Sequence, residues 1–66
     1  MMYTNSEIKA LIEEHIHSKE HRKILYRRLV DGCTYAELSE EFNYSVRHIQ
    51  RIVYKEQEEL FKYLKP

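Results

Sequence analysis

Sixty-six residues are enough for one domain around one small core, and too few to enclose a large substrate. Hydrophobic residues make up 42% and charged residues 33%, an ordinary globular balance, with no apolar run long enough to span a bilayer and no signal peptide at the N-terminus. Eleven Lys and Arg offset eleven Asp and Glu, so a uniformly basic surface is excluded and any charged face must come from uneven placement. The single cysteine, Cys33, has no internal disulfide partner, which fits a reducing cytoplasm, the expected compartment. Gly and Pro occur once each, which argues against tight hairpins and for helices joined by short turns.

The expected fold is a small all-α domain of four helices, at about 5–17, 19–31, 35–42 and 46–64. Thr4, Asn5 or Ser6 can cap the first, since a short side-chain oxygen accepts from the free amides of a first turn. Ile8, Leu11, Ile12 and Ile16 give it one apolar stripe at spacings of three and four, and Glu7, Glu13 and Glu14 make its outer face acidic. Ser18 is the next N-cap. The helix after it turns Ile24, Leu25 and Leu29 inward, with Tyr26 or Val30 partly so, and carries Lys19, Arg22, Lys23, Arg27 and Arg28 on its other faces. Gly32 stands where a helix end calls for a residue with positive φ.

Thr34 and Glu37 have the spacing of a capping box, so the third helix starts at Tyr35 and turns Leu38 and Phe42 inward. Asn43 tolerates a left-handed turn position, and Ser45 can cap the fourth helix. The apolar side of that helix is Val46, Ile49, Ile52, Val53, Leu60, Phe61 and Leu64. Glu56, Gln57, Glu58 and Glu59 interrupt this side, and the helix is expected to leave the core there.

Residues 34–55 carry the functional signal. Two helices joined by a three- or four-residue turn cross steeply, as in a helix-turn-helix. Ser39 supplies the small residue where the backbones approach, Leu38, Phe42, Ile49 and Ile52 supply the anchors, and Tyr44 closes the side of the core. With Ile49, Ile52 and Val53 inward, the outer face shows Arg47, His48, Gln50, Arg51, Tyr54 and Lys55, and no acid occurs from 44 to 55. Arg reads guanine and Gln reads adenine in the major groove through paired hydrogen bonds, and such residues sit near the N-terminus of a recognition helix. Arg47, His48, Gln50 and Arg51 are therefore the expected base-reading residues. Thr34, Tyr35, Ser45, Tyr54 and Lys55, with Lys23 and Arg27 from the second helix, are the expected contacts to the DNA backbone. Residues 19–28 hold five Lys or Arg and one Glu, so a neutral chain can still present one basic face.

The stretch from His21 to Leu64, about two-thirds of the chain, resembles the helix-turn-helix of sigma factor region 4, closest to the sigma-like phage and prophage regulators of the ArpU and RinA type. The residues that carry the resemblance are Arg22-Lys-Ile-Leu25, Arg28-Leu-Val-Asp-Gly32, Thr34-Tyr-Ala-Glu-Leu38, Tyr44-Ser45, Arg47, Ile49 and Arg51-Ile52. Asn43 stands where that family usually has Gly, and Ser39 where Ala is usual. The resemblance implies binding of double-stranded DNA in transcription control, with RNA polymerase as a candidate second partner.

Other readings of the same residues belong to other classes. A domain of this kind can act as an adaptor that binds polymerase or another regulator without touching DNA, through the acids of the first and third helices and of 56–59. His17 and His21 lie one turn apart near His15, but Ser18 breaks the helix between them and no Cys or acid completes a closed metal site, so they read as surface histidines at a helix junction. Cys33 reads as a small half-buried turn residue. No paired carboxylates, phosphate-cradling glycine loop or triad is present, so no enzyme and no cofactor is expected. A homodimer through the first helix or the 60–64 end of the fourth would double the DNA contacts, and Tyr3 and Tyr63 are further candidates for that interface.

Overall fold

A computed structural model describes residues 4–63 as four helices, α1 (Asn5–His15), α2 (Lys19–Leu29), α3 (Tyr35–Phe42) and α4 (Val46–Phe61), with no strand among the described residues. The body measures 34 × 18 × 18 Å.

Each helix begins on a hydroxyl cap. Thr4 and Glu7 close a capping box on α1, with the Glu7 amide donating to Thr4 Oγ1 at 3.1 Å and the Thr4 amide to Glu7 Oε1 at 2.8 Å. Thr34 and Glu37 repeat the same box on α3, at 3.1 and 2.7 Å. Ser18 and Ser45 cap α2 and α4 by accepting from His21 and His48. Two helix ends differ from expectation because these caps need extended backbone. Ser18 must lie outside a helix to cap α2, so α1 stops at His15 and Ile16 is extended at φ −98°, ψ 118°. The second helix stops at Leu29 rather than Asp31, and the chain leaves through Gly32 at φ 74° into the Thr34 cap. The fourth ends at Phe61, where Lys62 and Tyr63 form a turn with the Tyr63 amide on the Leu60 carbonyl at 2.9 Å.

The core joins Ile12 and Ile16, Ile24 and Leu25 of α2, Leu38 of α3, and Ile49, Ile52, Val53 and Leu60 of α4. Helices α2 and α4 each pack against all the others, while α1 and α3 do not pack against one another. Leu29, Phe42, Tyr44 and Cys33 lie half-buried against this core.

Three expectations about α4 are corrected. Val46 is 41% exposed and Phe61 50%, because at the helix ends no neighbour covers the apolar side. The helix does not leave the core at 56–59, since Leu60 is 1% exposed and Glu56 accepts from His21 on α2. Leu60 therefore belongs to the chain's own core and is not available at the 60–64 end as a dimer contact. Of the other residues named for such contacts, Phe61 and Tyr63 are exposed, while Tyr3 and Leu64 lie outside the described residues.

Candidate nucleic-acid interface

The turn between α3 and α4 fixes how the fourth helix is presented. Asn43 takes the left-handed conformation, φ 59° and ψ 42°, and its amide donates to the Ser39 carbonyl. The Tyr44 amide reaches the same carbonyl at 3.1 Å, and the Ser39 hydroxyl donates to the Tyr44 carbonyl. Ser39 is thus more than a small residue at the crossing, because its side chain ties the end of α3 to the start of α4. The Tyr44 hydroxyl donates to Glu20 Oε1 at 2.6 Å, a bond that pushes its phenol pKa up. Its ring lies 4.5 Å from that of His48. The N-terminus of α4 is therefore anchored to both α3 and α2.

Ser45 uses its oxygen to accept from His48 at 3.1 Å, leaving the amides of Val46 and Arg47 without an intrahelical acceptor and the serine hydroxyl proton free to donate. Arg47, His48, Arg51, Tyr54 and Lys55 are exposed, and Gln50 is half-buried. Arg47, Arg51 and Lys55 form no ion pair among the described residues. Five of the six side chains expected on this face are thus open to solvent, and the sixth is partly so.

The start of α3 adjoins this face. Tyr35 meets Tyr54 edge-on, with ring centroids 6.3 Å apart, and the Tyr35 hydroxyl beside it raises the Tyr54 pKa. The Arg28 guanidinium lies 4.2 Å from the Tyr35 ring and donates to the Cys33 carbonyl at 2.9 Å. Periodicity gives Arg28 only as one of five basic residues on α2. The signal that could have singled it out is the chain reversal between Gly32 and Thr34, which returns Tyr35 over the last turn of that helix. Thr34 itself is exposed, but its amide is held by Glu37, whose carboxylate pKa that bond lowers, so only the threonine hydroxyl proton remains to donate.

Lys23 and Arg27 are not brought to this face. Both line a groove formed largely by α1 and α2, and none of its lining residues falls within 44–55. Arg27 is further bound to Glu41 at 2.8 and 3.1 Å and to Asp31 at 3.3 Å, and the Glu41 bond raises its pKa. Arg22, on the same side, donates to the carbonyls of Ile16 and His17 and so closes the end of α1.

The histidines gather where α1 turns into α2. His21 Nδ1 lies 2.6 Å from Glu56 Oε2, and His15 stacks on Tyr63 at 3.7 Å, while His17 is exposed. Glu56 is the acid that local spacing could not find, because it lies 35 residues away from His21. Among the described residues no three His, Cys, Asp or Glu side chains are grouped to hold a metal ion, and no helix is long and apolar enough to cross a membrane. Compared with protein-family models, with curated proteins and with solved structures, the chain finds no match.

Proposed function

We propose that this chain binds double-stranded DNA as a cytoplasmic transcriptional regulator, with the 46–55 portion of α4 in the major groove. One observation carries the reading. Arg47, Arg51 and Lys55 stand exposed and, among the described residues, without ion-pair partners on a helix anchored to α3 by a left-handed turn, in a stretch free of acids. Arg47 and Arg51 read guanine, Gln50 reads adenine, and His48 adds a donor at the same end. Ser45 and the free amides of Val46 and Arg47 hold a phosphate at the helix N-terminus, where the helix dipole favours negative charge. Tyr35, Tyr54, Lys55, Arg28 and the Thr34 hydroxyl touch the flanking backbone. Lys23 and Arg27 drop out of the interface, since they line a different groove. The resemblance of residues 21–64 to sigma factor region 4 supports the same reading, and RNA polymerase is its natural second partner.

One copy makes few contacts, so two copies on a repeated half-site are proposed, joined through exposed apolar side chains such as Phe61 and Tyr63 or through the outer face of α1. The test is selection of binding sites from random duplexes, followed by footprinting. Enrichment of a short motif with guanines opposite Arg47 and Arg51 is expected, and affinity should fall steeply with salt. If no duplex is retained even at low salt, the DNA reading is wrong and the adaptor reading takes its place.

A further inference from the structure

Lys9 of α1 and Lys19 and Lys23 of α2 converge on a groove of about 730 Å³ between the two helices, apart from the α4 face. Lys19, Lys23 and Tyr26 follow one another at helical spacing, and Lys9 lies 5.6 Å above the Tyr26 ring. Five cations and two carboxylates line the groove. Two of the cations are occupied, Arg22 by carbonyls of the α1–α2 junction and Arg27 by Glu41 and Asp31. The three lysines are exposed and form no ion pair among the described residues. Half-buried Tyr26 and buried Ile12 give the groove an apolar floor. Glu13, a lining carboxylate with no bond of its own among the described residues, offsets one of these charges, so in a chain whose formal charge is zero the groove keeps a local excess of positive charge.

We propose that this groove docks an acidic amphipathic segment of a partner protein. Its carboxylates meet Lys9, Lys19 and Lys23, and one apolar or aromatic side chain rests on Tyr26. The geometry disfavours the two other negatively charged occupants. A duplex presents its phosphates on a convex surface, and its major groove alone is about 12 Å wide, so it cannot bring an apolar group down to a floor between two packed helices. A second copy is the weaker occupant, because the acids it leaves unpaired among the described residues, Glu13, Glu14, Glu40 and Glu58, are divided among α1, α3 and α4. The proposal is independent of DNA binding. It gives the chain a second basic surface, suited to a protein while α4 addresses DNA.

The test is a titration of the isotope-labelled full chain, followed by amide NMR shifts. The probe is a synthetic helical peptide with Glu and Asp on one face and Leu and Phe on the other, and its control carries Gln and Asn in place of the acids. The acidic peptide should move the amides of Lys9, Lys19, Lys23 and Tyr26, and the neutral control should not. The combined Lys9→Gln, Lys19→Gln and Lys23→Gln variant should bind about tenfold more weakly, three exposed charge pairs having been lost. Lys62→Gln, the same change at an exposed lysine elsewhere, should bind as the parent does. The proposal is overturned if the peptide moves nothing, if it moves only amides of 46–55, or if the triple variant, folded by circular dichroism, binds unchanged. It is equally overturned if duplex DNA moves the groove amides. Should the triple variant fail to fold, the shift map of the parent chain decides by itself.

Discussion

Single side chains tie α2 to the later elements of this molecule through bonds that local spacing does not reveal. Tyr44 reaches Glu20, Arg27 reaches Glu41 and His21 reaches Glu56, across 24, 14 and 35 positions. Sequence periodicity gives the face of each helix but not which neighbour stands opposite. The side chains of α4 were legible for that reason, since their direction follows from Ile49, Ile52 and Val53. Lys23 and Arg27 line the groove beside α1, whereas Arg28 lies on Tyr35 at the start of α3, a division of the basic residues of α2 that their spacing alone does not show. The Tyr44 bond has a measurable consequence. The phenol donates to a carboxylate, which raises its folded-state pKa above the ordinary value of about 10. A raised pKa means that the contribution is complete below the unfolded-state value and is lost as pH rises through the folded-state value. Thermal unfolding followed from neutral pH upward should therefore show a fall in melting temperature above about pH 10. Tyr44→Phe should lower the melting temperature at neutral pH and flatten that alkaline fall. An unchanged alkaline limb in the variant would show that Tyr44 does not carry it.

Helix starts were legible because the chemistry of a cap is local. Thr4 and Thr34 each have Glu three positions on, and each forms both bonds of the box. Helix ends were less so. The first and second helices stop two residues early because the following cap and Gly32 claim the backbone, a competition that hydrophobic spacing does not register. The α3–α4 turn is the element on which the DNA reading depends, and it rests on Asn43 in a conformation that costs most side chains about 1–2 kcal/mol. Asn43→Ala should destabilise the fold by about 1 kcal/mol, whereas Asn43→Gly should be neutral or mildly stabilising, as measured by urea denaturation. A glycine variant less stable than the alanine variant would mean that the asparagine side chain, not the backbone conformation, holds the turn. The same turn separates Ser39 from a plain small residue. Size alone marks it in the sequence, but its hydroxyl bond to the Tyr44 carbonyl becomes visible only when the two helices are placed.

At the scale of the whole chain, formal neutrality conceals an uneven surface. Several acids are committed within the fold, Glu7 and Glu37 to caps, Glu20 to Tyr44, Glu41 to Arg27, Glu56 to His21 and Glu59 to Lys62, while Glu13, Glu14, Glu40 and Glu58 carry no such bond among the described residues. Among the described residues, the cations left over fall into two groups, Arg47, Arg51 and Lys55 on α4 and the three lysines of the α1–α2 groove. Carboxylates spent on internal bonds and cations left outward make a neutral protein locally basic, and the two acidic partners proposed above both rest on that unevenness. The small core joining all four helices makes the arrangement rigid, since α4 carries Ile49, Ile52, Val53 and Leu60 into it and cannot rotate its outer face without exposing them. The central claim is that this outer face reads DNA, and fluorescence anisotropy of a selected duplex with the parent chain and with Arg51→Ala tests it most directly. Loss of about 1–3 kcal/mol of affinity on the selected duplex, with a much smaller loss on random duplex, is predicted. Equal affinity of the two proteins for the selected duplex would contradict it.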